Sequence, residues 1–165
     1  MKAPVGRPGA KDAGIGFYGE AAMKIAVIDG MGGSIGQHII LELRKKLPED
    51  VEIIALGSNA IATGNMMKAR ANRGATGENA VRVCINEADI IMGSLSIVIP
   101  NSMMGELTPD MATAVAMAPG RKILLPLTYP RLDILGTTDT PLPRLIEQAV
   151  EMVREIYEKE AGKDV

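Results

Sequence analysis

Apolar residues along this chain fall into two kinds of block, short continuous runs and longer stretches in which they recur every three or four positions. The run at 24–29 predicts a strand, and 34–46 predicts a helix whose Ile35, Ile39, Ile40, Leu43 and Leu47 share one face. Leu47-Pro48-Glu49-Asp50 ends that helix. A second strand is expected over 51–56, stopped by Gly57-Ser58-Asn59, and 60–71 has the alanine and methionine content of a second helix. Residues 72–79 read as a glycine-rich turn, followed by a short helix to Glu87.

A third strand is expected at 89–94, bulging on toward Ile99, with an irregular loop over 100–107. Thr108-Pro109-Asp110 then supplies a cap, a proline at the first helical position and an early acid, and this helix stops near Pro119-Gly120. Residues 122–127 predict a fourth strand and 132–135 a short fifth. The last helix opens around Thr140-Pro141, with Leu145, Ile146, Ala149, Val150, Val153, Ile156 and Tyr157 at spacings of three and four. This alternation predicts an α/β fold, a Rossmann-like three-layer sandwich with a mostly parallel sheet of roughly 4 to 5 strands. One domain is expected over 23–165, preceded by a flexible tail at 1–22 that reads as an upstream extension.

Composition narrows the function classes. The chain has 165 residues, 47% of them apolar and 23% charged, enough to bury a core. A net charge of -2, with cations scattered among acids, gives no footprint for nucleic acid or an anionic membrane surface, and no apolar run is long enough to span a membrane. The lone Cys84 excludes an internal disulfide and fits a cytoplasmic protein. His38 is the only histidine, and no nucleophile motif or metal-ligand spacing accompanies it, so no catalytic residue and no metal site is assigned.

The candidate chemistry lies in Gly30-Met31-Gly32-Gly33-Ser34-Ile35-Gly36, where a strand opens through glycines into a helix. Amides at a helix start lack partners within the helix and carry partial positive charge, so this geometry suits a phosphate. The stretch from Gly30 to Ile40 resembles the cofactor loop of extended short-chain dehydrogenases, which implies NAD(P) and oxidoreductase chemistry. At the tip of the second strand, however, Gly57, Ser58 and Asn59 stand where a dinucleotide site places its ribose-binding acid. The order of glycine-rich segments, at 30–36, 58–59, 73–79 and 93–102, resembles that of the tubulin-like GTPases and implies a mononucleotide.

From Met23 to about Leu127 the chain resembles a family of small bacterial proteins of unknown function. Its segments 24–33, 59–63, 72–79 and 101–106 carry that likeness, which implies a small Rossmann-like domain and no particular reaction.

A parallel sheet gathers the loops after its strands at one edge, which here would hold Asp29, Ser58, Asn59, Ser94, Ser96, Asn101, Ser102 and Glu106. The candidate binding residues are Asp29, Gly30, Met31, Gly32, Gly33, Ser34 and Ile35, with Ser58, Asn59 and Ser94. Arg73 is added as an anion clamp, together with Gly74, Thr76, Gly77 and Asn79. Asp29 has a second reading, in which its carboxylate caps the loop by accepting backbone amides. The expected ligand is a nucleotide or another phosphorylated small molecule, with NAD(P) or a mononucleotide as cofactor. The long apolar stripe of the last helix predicts a homo-oligomer, and a non-catalytic oligomeric scaffold is the alternative from another class.

Overall fold

The computed structural model describes residues 23–162; the expected tail at 1–22 lies outside them. Five strands and five α-helices alternate: β1 (Met23–Asp29), α1 (Ser34–Lys46), β2 (Val51–Gly57), α2 (Ala60–Lys68), β3 (Arg73–Thr76), α3 (Glu78–Cys84), β4 (Ile90–Ser94), α4 (Pro109–Met117), β5 (Arg121–Leu125) and α5 (Leu142–Glu160). The strands form one sheet in the order β3-β2-β1-β4-β5, and every pairing is parallel. The fold is α/β with a Rossmann-like arrangement, as the alternation predicts.

Sequence dictates the layers through strand parity. Ile25 and Val27 of β1 and Ile53 and Ala55 of β2 face α1 and α5, whose Ile39, Leu43, Ile146, Val150 and Val153 are buried against them. Ala26, Ile28, Ile54 and Leu56 face the opposite way, onto Val81 of α3 and Met111 and Val115 of α4. Both faces of β1, β2 and β4 are therefore covered, which is why these strands read as continuous apolar runs.

Three local expectations are corrected. Residues 73–76, read as part of a turn, form the edge strand β3, in register with Ile54 to Gly57 of β2. The third expected strand does not bulge onward; it stops at Ser94 and a 3-10 turn, Leu95–Val98, follows. Residues 132–135 form no strand, and Leu132 makes only an isolated bridge to Tyr129.

The apolar stripe of α5 also finds its partner within the chain. Ile146, Val150 and Val153 are buried in the core beside α1, so the stripe no longer points to a second subunit.

Candidate functional site

The strand order reverses direction between β1 and β4, and the carboxyl ends of these two strands open a crevice there, the usual ligand position in such sheets. A cleft of about 470 Å³ occupies it, lined by residues 29–35, Ser94, Ser96, Met103 and 127–129. Of the candidate residues, Asp29, Gly30, Met31, Gly32, Gly33, Ser34, Ile35 and Ser94 are thus brought to one place.

Asp29 ends β1 and is buried. Its Oδ1 accepts the amide of Gly30 and its Oδ2 the amide of Gly36, each at 2.8 Å. The carboxylate faces inward and caps the loop, the second of the two roles open to it. Burial pushes this carboxyl above its ordinary value; the amides of Gly36, Gly30 and Ile35 pull it down, and the nearby charge of Glu106 pushes it up.

Three of the four glycines answer to packing. A Cβ on Gly30 would lie 2.5 Å from Ser58 Oγ and 2.8 Å from Glu106 Oε2. On Gly33, which has φ +71°, it would meet the Ala62 backbone at 2.6 Å, and on Gly36 it would meet Met66 Sδ at 2.5 Å. Gly32 differs. A Cβ there would have nothing within 4 Å, and its φ is not in the left-handed region, so no protein contact demands a glycine.

Amide bookkeeping singles out the same spot. The amides of Gly30, Met31, Gly33 and Gly36 donate to Asp29, Glu106, the Gly30 carbonyl and Asp29. Those of Gly32 and Ser34 have no partner among the described residues.

Glu106, set on the loop between β4 and α4, brings a carboxylate against the β2 tip. Its Oε2 accepts the Met31 amide at 2.7 Å, the Ser58 hydroxyl at 2.6 Å and the Asn59 side-chain amide at 2.9 Å. The Ser58 hydroxyl, then the Met31 amide, then Asn59 hold the Glu106 carboxyl below its ordinary value, against some burial. Asn59 is fully used, since its Oδ1 also caps α2 through the Ala62 amide at 2.9 Å and its Nδ2 reaches the Met31 carbonyl. Ser58 and Asn59 therefore act by tying Glu106 to the glycine loop.

The loop that delivers Glu106 is strained. Asn101, Met103 and Met104 have φ of 60°, 54° and 57°, and Gly105 has φ 89°. Left-handed backbone at a non-glycine residue costs on the order of 1 kcal/mol. Ser102 pins the loop, its buried hydroxyl donating to the Ser96 carbonyl at 2.6 Å. Met31, on the facing loop, is also left-handed, at φ 51°.

The second glycine-rich segment does not join this site through its cation. Arg73 opens β3, beside Ile54 and away from the carboxyl ends, and its guanidinium contacts Glu52 and Glu87 at 2.5 Å each. The Glu87 carboxylate, with Glu52 beside it, raises its affinity for its proton, and both sides of its charge are spoken for. Gly74 lets β3 approach α2, where a Cβ would lie 2.8 Å from Thr63 Cγ2. Thr76 shares a hydrogen bond with Thr63 at 2.7 Å, Gly77 turns the chain at φ +96°, and Asn79 is exposed in the first turn of α3.

Glu106 was legible as a residue of the polar edge but not as a binding group, since its partners are far away in sequence. Ser96, Met103, Leu127, Thr128 and Tyr129 complete the cleft and lie outside the candidate set.

Among known families, the one described as a domain of unknown function (DUF3842) matches residues 24–158. The chain belongs to this family. The match spans the sheet from the second residue of β1 onward and all but the last two residues of α5, and the expected kinship with an uncharacterised family is met. No curated protein matches the chain.

A larger depression of about 650 Å³ lies between α1 and α5, lined mostly by long charged side chains including Glu42, Lys46, Glu147 and Glu151. Glu42 and Lys46 belong to the end of α1 away from the glycine loop. Among the described residues no cluster of His, Cys, Asp and Glu could hold a metal ion, and no helix is long and apolar enough to cross a membrane.

Proposed function

We propose that the protein binds a nucleotide or another phosphorylated small molecule in the cleft over its glycine loop. The observation that carries this reading is Gly32, a glycine that no neighbouring protein atom requires, beside two amides, its own and that of Ser34, left without partners. Space at a backbone position plus unused donors is what close approach by an anion demands. The side chains of Ser94, Ser96, Thr128 and Tyr129 in the lining supply further hydroxyls for orientation. The inward turn of Asp29 supports the reading too, because its charge is spread over loop amides instead of being presented to the ligand.

Thermal melting in the presence of NADH, NADPH, ATP, GTP, FAD and simple sugar phosphates tests this. A bound ligand raises the midpoint as concentration exceeds its Kd. Failure of every compound to shift it contradicts the reading. We also propose a cytoplasmic location and a second copy of the chain as the cover for the exposed Leu132, Ile134 and Leu135, with a monomeric mass in solution as the contrary result.

A further inference from the structure

A second depression, of about 490 Å³, shares Met31 with the first cleft and is lined by Met31, Asn59, Ala60, Ile61, Met104 and Glu106. Its character differs from that of the first. Met31, Ile61 and Met104 are 50%, 68% and 93% exposed, three large apolar side chains held in water around a single carboxylate. Two of them, Met31 and Met104, stand on left-handed backbone from loops that approach each other across the site. Strain of that kind persists where the surrounding structure holds it, and it gathers at ligand-binding positions.

The carboxylate is half used. Oε2 of Glu106 takes all three of its hydrogen bonds, from Met31, Ser58 and Asn59, while Oε1 has none among the described residues. A side chain fixed through one oxygen presents the other as a positioned acceptor, whose two lone pairs can take the two hydroxyls of a vicinal diol. Thioether side chains pack adaptably on flat aromatic rings. An aromatic ring and a vicinal diol within reach of a phosphate position describe a ribonucleotide.

We infer that Glu106 reads the ribose diol of a nucleotide whose base packs among Met31, Ile61 and Met104 and whose phosphate lies at Gly32 and Ser34. Glu106 thereby takes the part of the acid missing from the β2 tip, delivered from the loop after β4. This inference rests on the proposed phosphate site and narrows its ligand from phosphorylated molecules in general to ribonucleotides.

The test is calorimetric titration of the full chain with AMP, GMP, CMP and UMP, each beside its 2′,3′-dideoxy counterpart, and with ribose 5-phosphate and inorganic phosphate. At least one ribonucleotide should bind about tenfold or more tighter than its dideoxy form, the scale of hydrogen bonds to a charged group. Glu106→Gln, which keeps an oxygen for the Met31 amide, should erase most of that discrimination, whereas Arg73→Gln, a change at the amino end of β3 and outside both depressions, should keep it. Equal affinity for ribo and dideoxy forms overturns the inference and leaves the phosphate site standing. Binding of ribose 5-phosphate or inorganic phosphate with no nucleotide bound does the same. No binding by any of these compounds overturns both.

Discussion

Glu106 accepts the backbone amide of Met31 at 2.7 Å across 75 residues of chain, joining the loop after β4 to the loop after β1. The same oxygen holds Ser58 and Asn59, so three loops meet on one carboxylate. Removing it with Glu106→Ala should destabilise the protein by about 1–3 kcal/mol, the cost of unmaking hydrogen bonds to a charged group that is only partly exposed. Urea unfolding measures this, and Glu106→Gln should lose clearly less.

Asp29 and Glu106 should drive stability in opposite directions with pH. Burial raises the Asp29 carboxyl, so the folded state holds that proton more tightly than the unfolded chain; its contribution is full below the ordinary aspartate value and is lost as pH rises through the raised one. Glu106 is lowered, so its contribution is present above the ordinary glutamate value and is lost as pH falls through its lowered value. Unfolding free energies from pH 3 to 8 should therefore show the natural protein gaining on Asp29→Asn toward acid and losing its advantage over Glu106→Gln.

Asp29→Asn should also lower stability at neutral pH, by about 1–3 kcal/mol. Both carboxylate oxygens accept amides, from Gly30 and Gly36, and an asparagine has only one oxygen to offer. One amide would then face an NH2 group in a buried position. A Tm unchanged in this variant contradicts the capping role.

Much of the fold was legible because burial on both faces writes itself as apolar runs and helical spacing. The bounds of α1 and the cap at Thr108, whose hydroxyl accepts the Met111 amide at 3.1 Å, follow from local sequence alone. β3 was hidden because its four residues include Gly74 and are nowhere fully buried, so neither alternation nor an apolar run marks them. Arg73 read as a free cation because the two acids that neutralise it, Glu52 and Glu87, come from other elements. Glu106 was opaque for the same reason: a loop's left-handed backbone and its distant partners exist only after the sheet has assembled.

Arg73→Gln separates the two glycine-rich segments. Its partly exposed ion pairs make a small contribution, about 1 kcal/mol or less, so urea unfolding should shift slightly. Affinity for a ligand of the glycine loop should stay unchanged, since Arg73 lies at the amino end of β3. A loss of binding on this substitution would bring the second segment back into the site.

A phosphate held by the Gly32 and Ser34 amides registers in nitrogen-proton NMR of the labelled protein titrated with a nucleotide or sugar phosphate. The Gly32 and Ser34 amide signals should move most, the Gly36 amide held by Asp29 should move little, and Gly32→Leu should abolish the shifts while leaving stability within about 0.5 kcal/mol, as a substitution into open space does. Saturating ligand that leaves the Gly32 and Ser34 signals in place would contradict that placement of the phosphate.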